Sequence, residues 1–406
     1  MMRPFESTIA IEDALQRLRD AADAVPIDRV ERVPLDAAHD RVLATDVQAP
    51  RDVPAFDRAA MDGYAVRAAD LAGASRERPA TLRLLGRVYA GETAERAIDA
   101  GECLEIATGA PIPPGADAVV MVEDTQLDMP LDVRVFTETK PQQHIIRRAA
   151  DMHTGDVLLS RGAQLSASRI GAIAAIGIAE VEVYAKPVVA ILPTGDELTE
   201  LGKPLPAGHV YDVNRYTLAS VVRQHGGVAH VHPTVADNLD AVRAAITRVA
   251  TAADLLVLTG GSSVGEHDLV IDILREQGDV LFHGVAVKPG KPTAFARIGR
   301  LLVLGMPGNP TSCLSNAYVL LIPLLRAIAR LPEHQPQIVR ATLGKAVDSP
   351  RDRYQYMPVR LENGSAFPTF KGSGEITSLS QADGYFEIPT HVAHLDAGSL
   401  VDVKLY

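Results

Sequence analysis

Tryptophan is absent from this 406-residue chain, and all aromatic residues together make up 4% of it. A surface that binds nucleic acid by stacking bases draws on aromatic side chains, so this scarcity argues against one. Positive charge is also in deficit: 40 Lys and Arg against 51 Asp and Glu leave a net charge of −11. That balance repels phosphate backbones and anionic lipid unless a basic patch offsets it, and neither nucleic acid nor a membrane is expected as a partner. Only two cysteines occur, Cys103 and Cys313, far apart and outside any C-x-x-C pair. A disulfide framework and a cysteine zinc site are thereby disfavoured, and a reducing cytoplasm fits. Long hydrophobic runs are missing too. The stretch from Ile170 to Ala179 is interrupted by glycines and too short to span a bilayer. The opening MMRPFESTIAIEDALQRL lacks the apolar core of a signal peptide.

What is present is ordinary for a folded chain, with 47% hydrophobic and 22% charged residues. The length suits several domains. Ile11, Leu15 and Leu18 recur at helical spacing, with Ser7 and Thr8 as candidate caps. Short β-rich runs then alternate with Gly and Pro clusters, which reads as a small β-domain inserted between two pieces of an elongated first domain. From Lys186 to Leu331 buried strands and amphipathic helices alternate. The strand-like runs are Val188–Leu192, Val228–Val235, Leu255–Leu258, Val280–Val287 and Leu301–Leu304, and a long helix is expected from Pro310 to Leu331. This pattern predicts a doubly wound parallel sheet with helices on both faces. After Pro332 the chain reverts to strands. The expected fold class is therefore α/β plus β, multidomain. Residues 1–48 and 150–186 form a discontinuous, elongated mixed domain, and residues 49–149 the inserted β-domain. Residues 187–331 form the α/β domain and residues 332–406 a C-terminal β-barrel-like domain.

Chemistry concentrates in three loops that follow buried strands: LPTGDEL (Leu192–Leu198), LTGGSSVGEHD (Leu258–Asp268) and LGMPGNPTS (Leu304–Ser312). Ligands bind beyond the carboxyl ends of such strands, where glycines let backbone N–H groups face an oxyanion. One such loop is unremarkable, but three at one sheet edge point to an anion site. VKPGKP places Lys288 and Lys291 where two ammonium groups can converge on one anion. Glu197, Asp237 and Asp268 lie in or beside these loops, and carboxylates next to an anion pocket suit a bridging Mg²⁺. A phosphorylated substrate, of pyrophosphate type, follows. Outside this domain, FDRAAMDGYAV sets Asp62 in a tight turn, and IATGAPIPPGAD carries Thr108. No histidine pair has a companion ligand set for zinc. Neither a P-loop nor a G-x-G-x-x-G fingerprint occurs.

AAMDGYAV, TGAPIPPGADAVV, PTGDEL, YDVNRY, GGSSVGEHD, KPGKP and MPGNPTS stand in the order found in the MoeA and gephyrin E-domain family, which the chain resembles over nearly its whole length, GSGEITSLSQADGY included. The resemblance implies a molybdopterin molybdenumtransferase, which inserts molybdate into adenylylated molybdopterin, releases AMP and uses Mg²⁺. It implies a homodimer whose sites are shared between subunits. Transient contact with the molybdopterin adenylyltransferase and with acceptor molybdoenzymes is expected. By motif, Asp62, Glu197 and Asp268 are the catalytic carboxylates and, with Asp237, the Mg²⁺ ligands. Thr108 and Arg147, the latter in a basic stretch with Arg148 and Asp151, are substrate-binding. Asp212 and Asn214, with Gly260 and Gly261, bind the pterin-phosphate side; Lys288, Lys291 and Ser312, beside Asn309, face molybdate. Ser262 and Thr311 stand where the family commonly has Val, Pro358 where many members have Arg, and Asp383 where Asn is usual; Arg353 is the alternative arginine. Two other readings compete. A gephyrin-like scaffold is disfavoured by the presence of Asp62, Glu197 and Asp268. The adenylyltransferase shares the α/β domain alone.

Overall fold

The computed structural model describes residues 8–128, 131–260 and 269–406. The chain forms two compact units. One comprises Met1–Val33, Asp40–Ala44 and Glu182–Tyr406, the other Pro34–His39 and Thr45–Val181.

The first unit is built on a six-stranded sheet. Helix α1 (Ile11–Ala24) is followed in this unit by β1 (Val188–Pro193), α2 (Asn214–Gln224), β2 (Val228–Val231), α3 (Leu239–Val249), β3 (Leu255–Thr259), α4 (Leu269–Gln277), β4 (Asp279–His283), β5 (Ala294–Ile298) and β6 (Leu301–Met306). Helix α5 (Pro310–Ile328) completes it. The strand order is β2-β1-β3-β6-β5-β4. Side chains alternate between two cores, as a strand period of two demands. Val189, Ile191, Leu255, Val257, Leu302 and Leu304 pack with α1, α2 and α5. Ala190, Leu192, Leu256, Leu258, Leu301 and Val303 pack with α3 and α4. Full burial of each Val or Leu contributes about 1.5–3 kcal/mol. Helix α5 is apolar enough to cross a membrane by composition, but 67% of its window is buried, and it is a core helix here.

Three local expectations need correction. The helix α1 follows Ala10, which makes no side-chain cap. Ile9 instead bridges Val285 in extended form, drawing Thr8 away from a capping role; Ser7 lies outside the described residues. The sheet is not wholly parallel, because β5 runs antiparallel to both β6 and β4. A tight turn at Gly299, with φ of 59°, reverses the chain between β5 and β6. The run Val280–Val287 is two elements: β4 ends at His283, and Val287–Lys288 joins a different sheet.

That other sheet is a closed C-terminal barrel. Tyr354–Glu362, Ser365–Pro368, Ile338–Leu343, Leu400–Leu405 and Gly384–Ile388 pair in that order, and the last returns to the first. Val287 and Lys288 pair in parallel with Tyr354 and Gln355, so the Lys288 backbone is part of this sheet.

In the second unit a six-stranded sheet has the order Ala118–Met121, Gly63–Val66, Glu102–Ile106, Ala80–Val88, Asp132–Val135 and Thr125–Asp128. Among the described residues its one parallel pair joins Ala80–Val88 to Glu102–Ile106. Tyr64, Val66, Leu82, Cys103, Val120 and Val133 fill one of its cores. The helix Ala167–Ala175 belongs to this unit and is capped by Ser166.

Candidate active site

In the first unit the carboxyl ends of β1, β3 and β6 are in register: Pro193 pairs with Thr259, and Thr259 with Met306. The loops leaving them touch through backbone. The Thr194 N–H donates to the Thr259 carbonyl at 2.8 Å, and Gly195 N–H to the Val235 carbonyl at 3.2 Å. Gly260 has φ of 92°, and a Cβ there would lie 2.3 Å from the Thr194 carbonyl oxygen. A Cβ on Gly308 would meet the Gly260 Cα at 3.5 Å. The three loops thus form one backbone floor, and a side chain at Gly260 would press it apart.

Carboxylates rim this floor. Asp196 and Glu197 follow Gly195 and are exposed. The Asp237 N–H donates to Asp196 Oδ1 at 3.3 Å. Although Asp237 is largely open to solvent, partial desolvation, followed by the charges of Glu197 and Asp196, raises its carboxyl above the usual range. Carboxylates crowded in this way gain from a cation, and hard oxygen donors fit Mg²⁺, which takes one or two of them with water and phosphate oxygens. Among the described residues no three His, Cys, Asp or Glu side chains form a closed metal cluster. Asp268 and Gly261 lie outside the described residues.

Asp212 is 4% exposed and its carboxylate is engaged inside the protein. Its Oδ1 accepts the Arg215 N–H at 3.1 Å and its Oδ2 pairs with Arg215 Nε at 2.5 Å. Arg215 Nη2 in turn reaches Thr234 Oγ1 at 2.7 Å. Asn214, at the start of α2, donates from Nδ2 to the Gly308 carbonyl at 2.8 Å.

Lys288 and Lys291 are half-buried and flank Gly290, whose φ is 105° and whose Cβ would lie 2.4 Å from Asn316 Nδ2. Asn316 donates to the Gly290 carbonyl at 2.8 Å, tying the lysine turn to α5. Ser312 is buried in the first turn of that helix.

The barrel adds a contact that sequence reasoning missed. Asn309 Nδ2 donates to Ser373 Oγ at 3.1 Å. The Thr311 N–H donates to the Ser373 carbonyl at 3.0 Å, and Thr311 Oγ1 to the Glu375 carbonyl at 2.8 Å. The signal was the GSGE segment, whose Gly372 and Gly374 flank Ser373. Asp196 and Arg215 also went unnoticed, although both neighbour selected residues. Asp383 has a structural task, its Oδ2 accepting the Leu361 N–H at 2.7 Å within the barrel.

The second unit gathers the remaining residues. Asp62 is exposed and sits between the strands Arg58–Ala59 and Gly63–Val66. Gly63 is required beneath it, because a Cβ there would fall 1.8 Å from the Val120 carbonyl oxygen. Asp62 Oδ1 accepts the Thr108 N–H at 2.7 Å and its hydroxyl at 2.8 Å. These two bonds, the backbone one first, hold the Asp62 carboxyl below the usual range. The segment bearing Arg147 reaches the same turn, since Ala60 N–H donates to the His144 carbonyl at 2.8 Å. Arg147 Nε donates to Gln142 Oε1 at 3.0 Å, whereas Arg148 is paired with Asp52 at 2.5 Å. A cavity of about 260 Å³ beside Asp62 is also lined by Tyr64, Arg87, Tyr89 and Glu105. A larger one, about 450 Å³, lies between α1, α5 and the barrel and contains none of the sequence-predicted site residues.

Known families match in the same order as these elements. Residues 9–177 match the MoeA N-terminal region (domain I and II), 190–327 the probable molybdopterin binding domain and 340–406 the MoeA C-terminal region (domain IV). A molybdopterin molybdenumtransferase of Haemophilus influenzae is 34% identical over 93% of this chain and 94% of its own length. The chain belongs to the MoeA family. Molybdopterin molybdenumtransferase 2 of Mycobacterium tuberculosis is 34% identical over 91% of this chain and 94% of its own. Among solved structures, a molybdopterin biosynthesis MoeA protein from Pyrococcus horikoshii matches with a TM-score of 0.83 at 29% identity, covering 98% of this chain and 100% of that one. MoeA membership therefore spans both units and the barrel, not the α/β domain alone.

Proposed function

We propose that this chain is a molybdopterin molybdenumtransferase that inserts molybdate into adenylylated molybdopterin and releases AMP. The observation that carries the reading is the glycine floor at the carboxyl ends of β1, β3 and β6, rimmed by Glu197 and Asp237. Family membership over the full length supports it. Backbone and helix N-termini at this edge suit oxyanions. Lys288 and Lys291 supply the positive charge that molybdate and phosphate require, and buried Ser312 a hydroxyl. Glu197 and Asp237 would hold Mg²⁺, with Asp62 and Asp268 as further ligands. The ion would neutralise charge on the phosphoanhydride as AMP departs. Asp62, Thr108 and Arg147 belong to one unit and Glu197, Asp237 and the lysines to the other. We infer a homodimer in which each site draws on both chains. Transient contacts with the adenylyltransferase and with acceptor molybdoenzymes, and a cytoplasmic location, complete the reading.

The direct test uses purified protein, adenylylated molybdopterin and Mg²⁺, with AMP measured with and without molybdate. Molybdate-dependent AMP release is expected, with no consumption of ATP. Release indifferent to molybdate, or ATP-dependent adenylylation of molybdopterin, would overturn the assignment.

A further inference from the structure

The cavity beside Asp62 is lined by Arg87, Tyr89 and Glu105, none of which belongs to a family motif. Three neighbouring strands set out its wall. Tyr64 on Gly63–Val66 stands opposite Glu105 on Glu102–Ile106, and Glu105 stands opposite Arg87 on Ala80–Val88. The last pairing depends on a bulge. Leu84 is opposite Cys103 and Arg87 opposite Glu105, so one strand takes an extra residue between the two pairs. Without it, Gly86 would stand opposite Glu105; the bulge brings a guanidinium there instead. Arg87 Nε meets Glu105 Oε2 at 2.9 Å. Tyr89, just past the strand, is 50% exposed. Its backbone N–H donates to Glu92 Oε2 at 3.1 Å. A hydrogen bond from Arg87 to the Tyr89 side chain, followed by the charge of Glu105, holds the Arg87 pKa above its ordinary value. Tyr89 is thus an open aromatic face anchored at its backbone and at its polar end.

This lining selects its ligand. Asp62 and Glu105 face a single guanidinium, so the cavity disfavours phosphate and molybdate. Its volume, about 260 Å³, falls below the ~300–1,000 Å³ of pockets that enclose a whole drug-sized ligand, and suits one ring system. An exposed tyrosine offers a stacking face, and a carboxylate accepts N–H bonds but donates none. We propose that this cavity seats a flat nitrogen heterocycle of the substrate, which stacks on Tyr89 and donates an amino N–H to Glu105. Arg87 acts through these two as a positioning residue. The proposal rests on the transferase reading above, whose substrate carries two such rings, pterin and adenine.

The test is steady-state AMP release by full-length wild type, Tyr89→Ala, Tyr89→Phe and Glu105→Gln, with thermal unfolding as a check on folding. Adenylylated molybdopterin is varied at saturating molybdate, and molybdate at saturating pterin substrate. Tyr89→Ala is expected to raise KM for the pterin substrate about tenfold, more than it lowers kcat, and to shift half-saturation by molybdate no more than about twofold. Tyr89→Phe, which restores the ring, should recover most of that loss. Glu105→Gln should raise the same KM about fivefold. AMP and 6-hydroxymethylpterin, used as competing inhibitors, identify the ring: the one whose inhibition weakens in Tyr89→Ala occupies the cavity, and either outcome upholds the proposal. An unchanged KM in Tyr89→Ala, an equal loss in Tyr89→Phe, a matching loss for molybdate, or a KM rise that neither inhibitor shares overturns it. Wild-type protein that releases no AMP would remove the transferase reading as well, whereas an active wild type with unaffected variants removes this proposal alone.

Discussion

Asp62 and Asp237 are the same residue type in two loop systems, and their surroundings push them in opposite directions. Thr108 gives Asp62 a backbone and a hydroxyl donor, so its negative charge is stabilised before any ligand arrives. Asp237 is partly desolvated and faces the charges of Glu197 and Asp196, so its negative charge is disfavoured. The first is a fixed anion, held in place by its turn. The second is an anion that its surroundings disfavour. A search for conserved-looking acids would rank them alike; their neighbours separate them.

Breaking the fixed anion has the largest expected effect. Asp62→Asn is predicted to lower molybdate-dependent AMP release by roughly 10²-fold or more. Its thermal midpoint should shift little, because an exposed turn side chain contributes little to stability. Near-normal turnover in this variant would reduce Asp62 to a turn residue. Next comes the floor beneath the strained rim. Gly260→Ala should cost about 1–3 kcal/mol, since a Cβ at this positive φ meets the Thr194 carbonyl. Denaturant unfolding measures it, and a cost within experimental error would mean that the loops yield freely.

Lys291→Ala is expected to raise the molybdate concentration needed for half-maximal AMP release by about tenfold, more than it weakens pterin binding. Equal losses would place the lysine turn on the substrate phosphate. The smallest effect sharpens the Asp62–Asp237 contrast itself. A carboxyl lowered by folding adds stability above its ordinary titration range and loses it as pH falls through the lowered value. A carboxyl raised by folding does the reverse: stability declines as pH rises from the ordinary value through the raised one. In unfolding midpoints followed from about pH 3 to 7, Asp62→Asn should remove an acid-side loss. Asp237→Asn should remove a decline on the rising side. Identical pH profiles for the two variants would erase the distinction.

The α/β sheet was legible because its strands alternate so cleanly: Val189 and Ile191 face one core, Ala190 and Leu192 the other. The loops were legible because only glycine permits the close approaches seen at Gly260, to the Thr194 backbone, and at Gly290, to the Asn316 side chain. Strand β5 was not, since nothing in Ala294–Ile298 indicates its direction; the turn at Gly299 decides that. The split of Val280–Val287 was equally hidden, because its two halves are apolar for the sake of different sheets. Pairing across long sequence separations escaped entirely. Ser373 meets Asn309 from 64 residues away.

One mixing experiment addresses the central claim, that the Asp62 turn and the Glu197–Asp237 rim act on one substrate from different chains. Asp62→Asn and Lys291→Ala chains, assayed at limiting molybdate where each homodimer alone is severely impaired, are co-refolded and their heterodimer confirmed by mass. One site then collects both defects and the other none, so an equal mixture should regain about a quarter of wild-type AMP release. Absence of any recovery in a confirmed heterodimer would contradict the shared site and place the two regions in service of a single chain.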